Sequence, residues 1–77
     1  MTILSENLKT LRKKLNFTQM AISEVLEIGF RTYVRYEAGE RDAPVSVMVK
    51  LAKLGNVSLD RVLTTKINPE DLDTPDL

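Results

Sequence analysis

The segment FRTYVRYEAGER, which begins at Phe30, holds the side chains of this sequence best suited to binding chemistry. Arg31 and Arg35 are four residues apart, a spacing that places two side chains on the same face of a helix. A guanidinium group has five N–H donors and no acceptor, so the chemistry open to this pair is binding to anions and other acceptors. Tyr33 and Tyr36 lie between and beside the arginines, so the segment also has rings that can enter a core.

The residue inventory argues against bond-making chemistry. The 77 residues include no cysteine and no histidine. Without them the chain cannot form a disulfide, a thiolate nucleophile, a histidine metal site or a Ser-His triad. We therefore expect no enzymatic activity, no cofactor and no metal.

Charge is distributed unevenly along the chain, although the net charge is zero. Residues 1–66 contain all 11 lysines and arginines and 7 acidic residues, a net charge of +4. Residues 67–77 contain four acidic residues and no basic ones, a net charge of −4. A basic body is compatible with a polyanionic partner, but an ordinary surface can also carry such a surplus.

Apolar periodicity and capping residues predict five short helices. Their predicted limits are Thr2 or Ser5 to about Leu15, the Thr18 cap to about Leu26, Gly29 to Gly39, Pro44 to about Leu54, and the Ser58 cap to about Thr64. Asn16 and Asn56 are predicted to stop two of them. Helices with such short connections predict an all-α fold, a compact five-helix bundle in residues 1–66. Residues 67–77 are predicted to form an acidic, frayed tail.

Within the third predicted helix, the two tyrosines and the two arginines fall on opposite sides. At about 100° per residue Tyr33 and Tyr36 lie close together, while the arginines and Val34 centre on the other side. The tyrosines are therefore expected to face the core and the arginines to face outward. Phe30 also lies toward the outward side, where a large apolar ring requires a reason.

Five sequence elements occur in a characteristic order. They are Leu11-Arg12, Thr18-Gln19, the segment RYEAGER at residues 35–41, Lys50-Leu51-Ala52-Lys53 and Val57-Ser58-Leu59-Asp60. Through them, residues 8 to about 63 resemble the helix-turn-helix of the Cro/XRE family, the phage-repressor-like bacterial regulators. The resemblance implies a lambda-repressor-like bundle with its helix-turn-helix unit at about residues 18–38. Two positions depart from the family pattern, Ser23 for a small alanine and Glu27 for the usual turn glycine, which leaves the turn geometry open.

The resemblance implies that the helix at residues 30–38 enters the major groove of double-stranded DNA. Carried over by position, the DNA-contacting residues are Thr18, Gln19, Gly29, Phe30, Arg31, Thr32, Val34, Arg35 and Arg41. An arginine paired with guanine would contribute roughly 1 to 3 kcal/mol of discrimination. For Phe30 an alternative is packing on the turn at Glu27, and for Arg41 simple exposure to solvent.

The resemblance also assigns a structural pair and an assembly. Arg12 and Glu37 match two residues that family members join in a semi-buried salt bridge between the first and third helices. Family members usually pair across a two-fold axis to bind palindromes, so a homodimer is expected. The candidate dimer residues are Val47, Val57, Leu59, Val62 and Leu63, with core burial as the alternative for each.

The function that follows is a sequence-specific transcriptional regulator, in particular a repressor. One alternative is an antitoxin that represses its own operon and binds a basic toxin through the acidic tail. Another is a bundle that binds only proteins. The sequence lacks an export signal and a membrane-length apolar segment, so no membrane partner is expected. The expected location is the cytoplasm of a bacterium, associated with the nucleoid, with either a bacterial or a phage gene as the source.

Overall fold

The computed structural model describes residues 2–68 and residue 70, and in these residues the regular structure consists of helices. The elements are α1 (Ile3–Lys14), α2 (Gln19–Val25), α3 (Phe30–Ala38), α4 (Val45–Gly55) and α5 (Leu59–Thr64). The prediction of an all-α, five-helix bundle is confirmed. None of the helices in the described part has the length and apolar character needed to cross a bilayer.

Side-chain caps account for where three of the helices begin. Thr2 is the N-cap of α1, and Ser5 completes a capping box with it, so Ser5 is part of the first turn and not the cap itself. Thr18 caps α2 and Ser58 caps α5, each by accepting a hydrogen bond from a backbone N–H group. Pro44 is the N-cap of α4, one position before the helix that it was expected to start.

Left-handed backbone ends several of the helices. Gly39 has φ of 78°, and Asn16 and Asn56 have φ of 63° and 56°. Glycine and asparagine tolerate this conformation, so these stops agree with their residue types. Glu27, in the turn between α2 and α3, has φ of 60° although it is neither glycine nor asparagine. The turn is therefore strained at the position where the sequence departs from the family pattern.

The core lies between α1 and the helices α3, α4 and α5, with α2 packed on α3. Leu8, Leu11, Ile22, Tyr33 and Leu51 are fully buried there. The approach of α4 to α1 is close, because a Cβ atom added at residue 55, a glycine, would lie 2.8 Å from a methyl carbon of the buried leucine at position 11.

Two of the candidate dimer residues belong to this core. Val47 is 4% exposed and Val62 is completely buried, so neither is available to a second molecule. Val47 and Val62 face inward, so for these two residues core burial, the alternative named in the sequence analysis, is correct. Leu63 is 42% exposed, and Val57 and Leu59 are partly buried against the core. Of the five candidate dimer residues, these three can still contribute to an outer apolar surface.

The folded body extends beyond residue 66, where the sequence had placed the start of the tail. Ile67 is 1% exposed, and its N–H group donates to Oδ1 of Asn7 at 2.8 Å. Nδ2 of Asn7 donates to the carbonyl oxygens of Val62 and Thr65, both at 2.9 Å. The sequence does not predict the burial of Ile67, because this residue is not part of a periodic apolar pattern. The tail residues 69 and 71–77 lie outside the described residues.

We expect Asn7→Ala to lower the free energy of unfolding by about 2 to 4 kcal/mol, because it leaves buried backbone groups without partners. Urea unfolding would measure the change. Lys66→Ala is the control, since it removes the exposed Lys66–Glu6 ion pair beside this site and should have little effect. Equal stability of Asn7→Ala and the wild type would show that the Asn7 hydrogen bonds contribute nothing to stability.

A second expectation concerns the strained turn. Glu27→Gly should raise the stability by about 1 kcal/mol, or the melting temperature by roughly 4 to 8 °C, because glycine adopts left-handed backbone without strain. The same replacement at Glu24, inside α2, should destabilise by about 1 kcal/mol. A lower melting temperature for Glu27→Gly would contradict the assignment of strain to this turn.

Candidate nucleic-acid interface

Helix α3 presents two chemically different faces. Its inner face is formed by Tyr33, Tyr36 and Glu37, all buried. On its outer face Arg31 and Arg35 are exposed and Val34 is partly buried. The helix therefore carries a pair of accessible guanidinium groups on a rigid support.

Phe30 lies at the start of this outer face. It is the first residue of α3 and 39% of its surface is exposed. It is not among the partly buried hydrophobic residues that pack against the core. Phe30 therefore keeps exposed apolar surface at the first position of α3, next to Arg31 in the sequence.

The remaining predicted contact residues lie around the ends of α2 and α3. Gly29 is exposed and is the N-cap of α3, where no side chain caps the helix. Thr32 is partly buried in the first turn of α3, and Arg41 is exposed in the loop after Gly39. Thr18 is exposed at the start of α2, and its Oγ1 accepts a hydrogen bond from the N–H of Ala21 at 3.0 Å. The side-chain oxygen of Thr18 therefore serves as the helix cap.

Gln19 is oriented differently from an outward contact residue. Its Nε2 donates to Oε1 of Glu37 at 3.1 Å, so the amide points between α2 and α3. Glu37 itself is 5% exposed. The structure thus brings Gln19 into the set of residues that surround the buried carboxylate.

The carboxylate of Glu37 is the point at which the first three helices meet. Nε of Arg12 donates to its Oε2 at 2.5 Å and Nη2 of Arg12 to its Oε1 at 3.3 Å. The Tyr33 hydroxyl donates to Oε2 at 2.6 Å. Arg12 also donates through Nη1 to the carbonyl oxygen of Phe17 at 2.9 Å, which attaches the α1–α2 connection to the same group. Together with Gln19, these donors occupy both carboxylate oxygens.

These contacts set the protonation states of the network. Burial by itself would raise the pKa of Glu37, but hydrogen bonds from Arg12, Tyr33 and Gln19 outweigh it and lower the pKa. The hydrogen bond to Glu37 raises the pKa of Arg12. Burial, followed by the hydrogen bond to Glu37, raises the pKa of Tyr33. Arg12 and Glu37 are therefore charged, and Tyr33 is a neutral donor, at neutral pH.

Sequence reasoning had paired Arg12 with Glu37 but had not included the Tyr33 hydroxyl or the Gln19 amide. The position of Tyr33 four residues before Glu37 was a usable signal, because side chains at this spacing meet on a helix. Gln19 gave no such signal, since it lies in another helix and 18 residues away.

An arrangement of two short helices joined by a tight turn, with the second helix presenting arginines outward, defines a helix-turn-helix protein. Residues 8–62 match the model of the helix-turn-helix family, and the chain belongs to this family, in its Cro/XRE-type branch. The resemblance noted in the sequence is thereby confirmed.

Two curated relatives come from Bacillus subtilis (strain 168). The HTH-type transcriptional regulator ImmR is 37% identical over 73 residues, which cover 90% of this chain and 58% of the relative. The uncharacterized HTH-type transcriptional regulator YqaE is 34% identical over 64 residues, which cover 83% of this chain and 55% of the relative. The chain thus spans little more than half the length of these relatives. No solved structure matches it significantly.

We expect Glu37→Ala to cost roughly 3 to 5 kcal/mol of stability, because the change leaves the Arg12 guanidinium without its partner in a largely buried site. Thermal unfolding near pH 7 would measure the effect, with Glu40→Ala as control because Glu40 is exposed. An unchanged melting temperature would refute the structural role of the pair.

The stability of Glu37→Ala should also depend less on acidic pH than that of the wild type. Since the pKa of Glu37 is lower in the folded than in the unfolded state, its stabilisation is complete above the unfolded value of about 4.3. It is lost as the pH falls through the folded-state pKa. Glu37→Ala should therefore show a weaker loss of stability in this acid range than the wild type.

Proposed function

We propose that this chain is a sequence-specific, double-stranded DNA-binding transcriptional regulator, in particular a repressor, that inserts α3 into the major groove. The observation that carries the proposal is the exposed pair Arg31 and Arg35 on a helix whose opposite face is buried. Two arginines one helical turn apart can reach adjacent acceptors along a groove. Membership in the helix-turn-helix family, and relatives described as transcriptional regulators, support the proposal.

Within this proposal the residues of α3 have distinct tasks. Arg31 and Arg35 pair with guanine edges or with phosphate oxygens, because a guanidinium group offers the donors that both require. Phe30 and Val34 carry no hydrogen-bonding groups in their side chains, so they meet thymine methyls or sugar carbons. Thr32, in the first turn, adds a hydroxyl beside them.

The N-termini of α2 and α3 supply the contacts to the DNA backbone. Backbone N–H groups at a helix start attract phosphate, and the positions concerned are Thr18 and Gln19 for α2 and Gly29 for α3. Gly29 has no side chain to obstruct close approach of a phosphate. Arg41, exposed after α3, is a further partner for phosphate. These contacts hold the module on DNA without selecting a sequence.

A homodimer completes the proposal. One module of 8.7 kDa makes few base contacts, whereas two related by a two-fold axis bind half-sites roughly 10 base pairs apart. The exposed Leu63 and the partly buried Val57 and Leu59 supply apolar area for such pairing. A dimer bound across a promoter excludes polymerase, which is the simplest action of a repressor. Such a protein works at the nucleoid.

Selection from a randomised duplex library at about 0.1 M salt would test the proposal. We expect the wild type to enrich a two-fold symmetric site. The double variant Arg31→Ala with Arg35→Ala should bind that site at least about 30-fold more weakly. Each arginine that no longer pairs with a guanine removes roughly 1 to 3 kcal/mol of binding free energy.

Lys50→Ala with Lys53→Ala is the matched control, since it removes two positive charges from α4 instead of α3. It should retain the selected site with a much smaller loss of affinity. An equal loss in both double variants would indicate attraction by overall charge, without base recognition. Failure of the wild type to enrich any duplex would instead favour a module that binds proteins.

A further inference from the structure

Gln19 occupies an unusual place for a residue at the edge of a DNA-binding surface. It is the first residue of α2, and its side chain is partly buried because the amide turns inward. Nε2 donates to Oε1 of Glu37 at 3.1 Å. One amide hydrogen is therefore committed to a protein partner before DNA arrives, and a hydrogen bond to a charged acceptor is among the stronger kinds.

The hydrogen bond between Gln19 and Glu37 joins α2 and α3 at the ends that lie away from the turn. The turn connects the end of α2 covalently to the start of α3, so it restrains the relative position of the two helices at that end. Gln19 starts α2 and Glu37 is the next-to-last residue of α3, so their contact connects the two remote ends. Glu37 is in turn fixed by Arg12 of α1. The crossing of α2 and α3 is thus restrained at both ends.

We infer that Gln19 is a positioning residue, which fixes α3 relative to the N-terminus of α2 through its hydrogen bond to Glu37. The inference rests on the proposed function, in which α2 contacts phosphates while α3 contacts bases. Both sets of contacts can form together only when the two helices keep one relative orientation. The Gln19 amide maintains that orientation, whichever other contacts its remaining atoms make to DNA.

A positioning role and a phosphate-contact role have different consequences for specificity. Loss of a phosphate contact weakens binding to all duplexes about equally, because phosphates carry no sequence information. Loss of orientation affects base contacts most, so it weakens binding to the preferred site more than binding to unrelated DNA. A mere loss of folded protein would reduce both in proportion.

Gln19→Met tests the inference, because methionine is similar in length but cannot donate a hydrogen bond. We expect affinity for the selected site to fall about tenfold and affinity for a scrambled duplex to fall less than twofold. Measurements would be made well below the melting temperature, so that both proteins are fully folded. Met20→Leu is the control, since Met20 is the exposed neighbour and its replacement should leave both affinities unchanged.

A titration of the Glu37 carboxyl group by NMR, on the free proteins, provides a readout independent of DNA. Gln19→Met should raise the pKa of Glu37, because the carboxylate loses one donor. An unchanged pKa would show that the hydrogen bond does not act on Glu37, and would overturn the inference. A raised pKa of Glu37 together with an unchanged ratio of the affinities for the selected site and the scrambled duplex would also overturn the inference. Absence of duplex binding by the wild type would overturn the proposed function itself.

Discussion

A carboxylate buried where three helices meet has to be paired, because an isolated charge in such a place would cost several kcal/mol. Glu37 meets this requirement with donors from α1, α2 and α3, namely Arg12, Gln19 and Tyr33. Each donor has its own direction and distance, so the requirement fixes how the three helices are arranged. The orientation of the outer face of α3 depends on this inner contact.

The two faces of α3 divide the work between stability and binding. Tyr33 and Tyr36 bury their rings on the inner side, which secures the helix to α1 and α2. Arg31 and Arg35 on the outer side are exposed, so a ligand can reach them. A helix of nine residues is marginal alone, so the outer face is ordered only because the inner face is packed.

How far the sequence predicted the site differs from residue to residue. The outer face followed from periodicity, because the angle between successive residues of a helix is fixed. The Arg12–Glu37 pair followed from family resemblance and not from any local pattern. The inward turn of Gln19 had no signal, since it depends on a carboxylate brought near by folding. The left-handed backbone of Glu27 could not be predicted from the sequence, because glutamate favours other conformations.

The sequence by itself determined the five helices, nearly all of their ends and the division of α3 into two faces. These are local properties, set by caps, by left-handed stops and by a period of 3.6 residues. Only the tertiary structure decided that Val47 and Val62 are core, and that Asn7 holds Ile67 in the folded body. Asn7 and Ile67 are 60 residues apart, and contacts between distant parts of a chain arise from packing in three dimensions, which no local pattern encodes.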